Sequence, residues 1–87
     1  MSEEQKKTRI TVKIYGYEYT IVGTESHDHI QRVANMVDKK MREISSANPM
    51  LDTNKTAVLT AVNAVHEYVK LQEKIEKLEK EIKQTKD

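Results

Sequence analysis

At 87 residues, with 37% hydrophobic and 33% charged residues and neither Phe nor Trp, the chain forms one domain at most, and a lone copy buries little. Its formal net charge is +1, and acidic and basic residues are interleaved throughout, which argues against non-specific nucleic-acid binding. Cysteine is absent, so disulfides, Cys-ligated zinc and thiol nucleophiles are excluded.

Residues 1–7 are polar and charged and read as a solvated leader rather than a signal peptide. No apolar run approaches the ~20 residues of a membrane span, so a cytoplasmic protein without membrane insertion is expected. From Thr8 the pattern has period two. Ile10, Val12 and Ile14 alternate with Arg9, Thr11, Lys13 and Tyr15, as in a strand with one buried face. After Gly16 a second β-rich run, Tyr17 to Val22, places Tyr19 and Ile21 on one face. A glycine between two such runs predicts a tight hairpin, with Gly16 fitting either central position of the turn.

Gly23 ends the second strand, and Thr24 or Ser26 caps the helix that follows, with Asp28 near its positive end. Ile30, Val33, Ala34, Val37, Met41 and Ile44 recur at helical spacing, so an amphipathic helix is expected over roughly Ser26 to Ser46, stopped by Ala47-Asn48-Pro49. Asp52 or Thr53 caps a long second helix. On it, Ala57, Ala61, Ala64, Tyr68, Leu71, Ile75, Leu78 and Ile82 are separated alternately by four and three residues, an unbroken heptad seam. A second stripe, Val58, Val62, Val65 and Val69, runs beside it and then stops. The doubly striped half is expected inside a packed core beside helix one and the hairpin. The remainder keeps one seam suited to pairing with another helix. Glu73–Lys77, Glu76–Lys80 and Glu79–Lys83 are i,i+4 pairs in the favourable order, worth ~0.2–0.5 kcal/mol each.

The expected architecture is therefore α+β: a β-hairpin, an amphipathic helix and a long C-terminal helix ending in a short coiled coil, with a dimeric head. Residues 1–7 are the leader, 8–70 the dimerising head and 71–87 the coiled-coil tail. The small residues Ala57, Ala61 and Ala64 permit close helix approach in a two-fold dimer, and the seam down to Ile82 extends the contact.

Sites of chemistry are scarce. His27-Asp28-His29 lacks further ligands at metal spacing and reads as a solvated cluster, and His66 beside Glu67 reads as solvent-facing or seam. There is no phosphate loop and no nucleophile or acid–base constellation, so neither catalysis nor a cofactor is expected. Arg32, Lys39 and Arg42 on the outer face of helix one, with Glu43 and Lys55 at the rim, form the candidate docking patch for an acidic partner. A small dimeric DNA-binding regulator, using Lys6, Lys7, Arg9 and Lys13, and a coiled-coil module of another complex are the competing readings.

Three segments resemble the ZapA family of bacterial division proteins, of the Gram-positive type. They are ITVKIYGYEYTIVG (10–23), HIQRVANMVDKKMREI (29–44) and LDTNKTAVLTAVNAVHEYVKLQEK (51–74), the last around Ala61, Asn63 and Tyr68. The resemblance implies a cytoplasmic, non-catalytic homodimer at the mid-cell ring, forming dimers of dimers through its tail. It implies binding to the tubulin-like GTPase FtsZ, crosslinking of its protofilaments, promotion of the ring and lowered GTP turnover. Tyr17 stands where the family carries a charged residue after the hairpin glycine. Asn63 is expected to make a structural hydrogen bond near the dimer seam.

Overall fold

The computed structural model describes residues 7–85, in the order β1 (Thr8–Ile14), β2 (Tyr17–Gly23), α1 (His27–Ala47) and α2 (Thr53–Thr85). The leader reading for residues 1–7 falls, apart from Lys7, outside the described residues, as do the last two positions of the tail. The two strands pair antiparallel with Ile14 opposite Tyr17, which leaves Tyr15 and Gly16 as a two-residue turn. Both have positive φ, 53° and 85°, the pattern of a type I′ turn, whose twist suits a hairpin. Gly16 thus takes the second central position, and a tyrosine occupies the first. The far end is closed by the Thr8 hydroxyl, 3.2 Å from the Gly23 carbonyl oxygen and 3.1 Å from that of Glu25.

Ser26 is the cap of α1: its Oγ accepts from the His29 N–H at 3.1 Å. The helix ends at Asn48, whose N–H donates to the carbonyls of Ile44 and Ser45. For α2 the cap is Asp52, whose carboxylate accepts from the Lys55 N–H at 2.8 Å. At ~1.5 Å per residue its 33 residues extend about 50 Å, the long dimension of a molecule measuring 53 × 45 × 16 Å. The helix crosses from 70 to 71 without a break, so the expected head and tail differ in surface pattern and share one backbone rod. No helix among the described residues is long and apolar enough to cross a membrane.

The core is small. Ile10 and Val12 from β1 pack with Ile30 and Ala34 from α1, with Ile14 and Ile21 partly buried against them. Helix α1 lies over β1. Across the same sheet face, Tyr19 opposite Val12 and Tyr17 opposite Ile14 are about half exposed. Met41 is also buried on α1, while Val33, expected on the same face, is 45% exposed.

The placement of α2 corrects one expectation. Val58, Val62, Val65 and Val69 do not enter the core of the chain; all four are exposed, as is the whole seam from Ala57 to Ile82. What α2 buries is polar: Thr56 and Thr60, on the stripe that faces α1. Ile30 and Ala34 cover the β1 side of the hairpin's apolar face, and among the described residues α2 packs chiefly on α1. Continuing along that stripe, Glu67 meets Lys40 of α1 at 3.1 Å. Within α2, the Thr60 hydroxyl bonds back to the Thr56 carbonyl at 2.7 Å, while the Thr56 hydroxyl is buried without a partner among the described residues. The i,i+4 pairs expected in the tail are open. Lys40–Glu67 and Asp38–Arg42 are the ion pairs among the described residues. For fully solvated long side chains, rotamer entropy offsets the weak Coulomb attraction of such pairs.

Candidate interaction site

Helix α1 carries charge on two separate stripes. One points at the hairpin turn. The Asp38 carboxylate accepts the Tyr15 N–H at 2.7 Å through one oxygen and the Arg42 Nε–H at 3.0 Å through the other. The Tyr15 hydroxyl donates to Ser45 Oγ at 2.9 Å, and the Arg42 guanidinium lies 5.7 Å from the centre of the Tyr15 ring. These contacts hold a non-glycine residue in the left-handed region, a conformation costing roughly 1–2 kcal/mol by itself. The hydrogen bond from Arg42, followed by that from the Tyr15 N–H, holds the Asp38 carboxyl below its ordinary pKa. Arg42 therefore belongs to a clamp that fixes the hairpin on α1.

The other stripe, Arg32, Met36, Lys39 and Glu43, recurs at helical spacing on the side of α1 opposite Ile30 and Ala34. Arg32, Met36 and Lys39 line a shallow recess of about 420 Å³ with Asp28, Gln31 and Asn35. Met36 and Lys39 continue into a second recess closed by Lys40, Glu43 and, from α2, Glu67. Met36 is 62% exposed. Neither Arg32 nor Lys39 makes an ion pair among the described residues. Of the candidate patch, the structure thus brings Arg32, Lys39 and Glu43 together and turns Arg42 away. Lys55 lines a different recess, with Leu51, Asn54, Val58 and Leu59. Met36 carries no charge, and its spacing from Arg32 and Lys39 is the signal in the sequence that places it on their stripe. Asn63 and His66 are exposed on α2, and no three metal-ligating side chains converge among the described residues.

The second surface is the apolar side of α2. Tyr68, Leu71, Ile75, Leu78 and Ile82 are each about half exposed or more, flanked on the head side by the equally open valine stripe. An apolar band this continuous marks an interaction face.

The family model for cell division protein ZapA matches residues 10–87. The chain belongs to the ZapA family of cell division proteins. It is 65% identical over 79 residues to the cell division protein ZapA of Bacillus subtilis (strain 168), covering 91% of this chain and 93% of that protein. Its identity to the ZapA of Geobacillus sp. (strain WCH70) is 60% over 84 residues, covering 97% of each. A solved structure described as a ZapA mutant dimer from Geobacillus stearothermophilus matches with a TM-score of 0.76 at 53% identity, covering 95% of this chain and 96% of that one. The α+β arrangement of hairpin and two helices is therefore that of the ZapA family.

Proposed function

We propose that this chain is a non-enzymatic division adaptor that pairs through α2, binds FtsZ and crosslinks its protofilaments at the mid-cell ring, in the cytoplasm. The observation that carries this reading is the uncovered apolar face of α2, from Ala57 to Ile82, in a chain of the ZapA family. A lone copy leaves that face in water; a two-fold dimer covers it, with Ala57, Ala61 and Ala64 allowing close approach in the head region 8–70. The narrower seam of Leu71, Ile75, Leu78 and Ile82 in the tail, 71–87, serves as a short coiled coil that joins dimers into larger assemblies. Because the paired form of such an adaptor carries each binding site twice, it bridges two filaments or two subunits of one filament. Preferential binding to polymer shifts FtsZ toward assembly by mass action, and lowered GTP turnover follows without contact with the nucleotide.

Sedimentation of FtsZ filaments with increasing amounts of this protein tests the reading. Bundles that pellet, with a falling GTPase rate and weakening at higher salt, are expected. An unchanged pellet and rate up to equimolar protein would refute it. Ala61→Glu tests the pairing surface. Ala61 is exposed within the chain, so the variant is expected to be a folded monomer by sedimentation velocity and circular dichroism. A folded dimer would place the contact elsewhere.

A further inference from the structure

Resting on the proposed adaptor reading, we propose that the Arg32–Met36–Lys39 groove of α1 is the surface that grips the partner, and that its occupant is an acidic protein segment with an apolar side chain between two carboxylates. The two cations are two helical turns apart, about 10 Å, and neither is engaged among the described residues, unlike Lys40 and Arg42 beside them. Between them stands a flexible methionine that is 62% exposed, a side chain that moulds to varied apolar partners. The groove is bounded by Asp28 at one end and by Glu43 and Glu67 at the other. This order of charge admits a segment with two carboxylates at the centre. It repels a phosphodiester chain, whose negative charge repeats at every step and would run over the acidic ends.

The charged clamp and the groove separate two roles that the sequence leaves mixed. Arg42 holds the fold, so its replacement damages the hairpin. Arg32, Met36 and Lys39 have no such duty, so replacing them should leave the fold and the pairing of copies intact.

Two measurements test the proposal. In FtsZ co-sedimentation, R32E/K39E should lower the bound fraction at fixed concentration roughly tenfold in apparent affinity. The control R9E/K13E, which reverses the same charge on the exposed outer face of β1, should bind as the parent does. Equal loss in both variants, or loss of the dimer by sedimentation velocity in R32E/K39E alone, would overturn the groove. In the second measurement, the protein carrying ¹³C-methyl methionine is titrated with a short synthetic peptide holding a leucine between two glutamates, and with its lysine counterpart. The Met36 methyl resonance should shift with the acidic peptide and not with the basic one, that of Met50 should stay, and R32E/K39E should abolish the response. No Met36 shift, or equal shifts with both peptides, overturns the proposal. A Met36 response from a protein that fails to pellet FtsZ would support the groove and refute the choice of partner.

Discussion

The two halves of this molecule solve the problem of a small core in opposite ways. The hairpin and α1 close on themselves: Ile10, Val12, Ile30 and Ala34 exclude water, and the Tyr15–Asp38–Arg42 clamp ties the turn to the helix. Helix α2 leaves nearly all its large apolar side chains in solvent and meets α1 through two threonines and one surface ion pair. Apolar periodicity is the same signal in both helices. It yields a core in α1 because a sheet face lies opposite, and an open seam in α2 because nothing among the described residues does. The difference teaches that an amphipathic stripe specifies the need for a cover without specifying where the cover comes from.

The largest test of this contrast truncates one isoleucine on each side of it. Ile30→Ala removes a buried side chain and should cost about 2–4 kcal/mol in urea denaturation. Ile82→Ala, 60% exposed in the chain, should stay within about 0.5 kcal/mol at concentrations where the protein is monomeric. Its effect should grow with protein concentration if the seam is covered by a second copy. Equal costs at low concentration would erase the distinction between the halves.

Gly16→Ala addresses the turn. At φ 85° an added methyl meets no neighbouring atom, so the penalty is conformational alone, about 1–2 kcal/mol. A neutral outcome would mean that the turn relaxes freely and that the clamp is slack. At the junction between the halves, Thr56→Val replaces a fully buried hydroxyl, unpartnered among the described residues, by a methyl and should stabilise the protein by about 1 kcal/mol. A loss of stability would reveal a partner for that hydroxyl.

The smallest effect is the pH dependence of the clamp. Asp38 has a lowered pKa in the folded state, so its contribution is complete above the ordinary carboxylate range and is lost as pH falls through the lowered folded value. The acid limb of the stability profile should therefore flatten in Asp38→Asn relative to the parent. Identical acid limbs would remove Asp38 from the clamp.

Much of this was legible from local pattern. The alternation of Ile10, Val12 and Ile14, the glycine at 16, one of the two cap candidates at each helix start (Ser26 and Asp52) and the stop before Pro49 each correspond to a feature of the fold, because each acts over a few residues of backbone. The candidate patch was legible only in part. Arg32, Lys39 and Arg42 look equivalent as exposed charges, and only their angles around α1 separate Arg42, turned toward Tyr15, from the other two. Met36 completes their stripe but carries no charge to mark it.

By itself, then, the sequence determined the four elements and their approximate ends, since dihedral preference, capping and periodicity are properties of neighbouring residues. Only the tertiary structure decided which hidden faces meet. It set α1 over β1, left the valines of α2 in solvent, and turned Thr56 and Thr60 inward in their place. It also recruited Asp38 and Arg42 to hold a tyrosine at positive φ. Those outcomes depend on excluded volume and on hydrogen-bond partners many residues apart, such as Tyr15 and Asp38, and no local pattern carries that information.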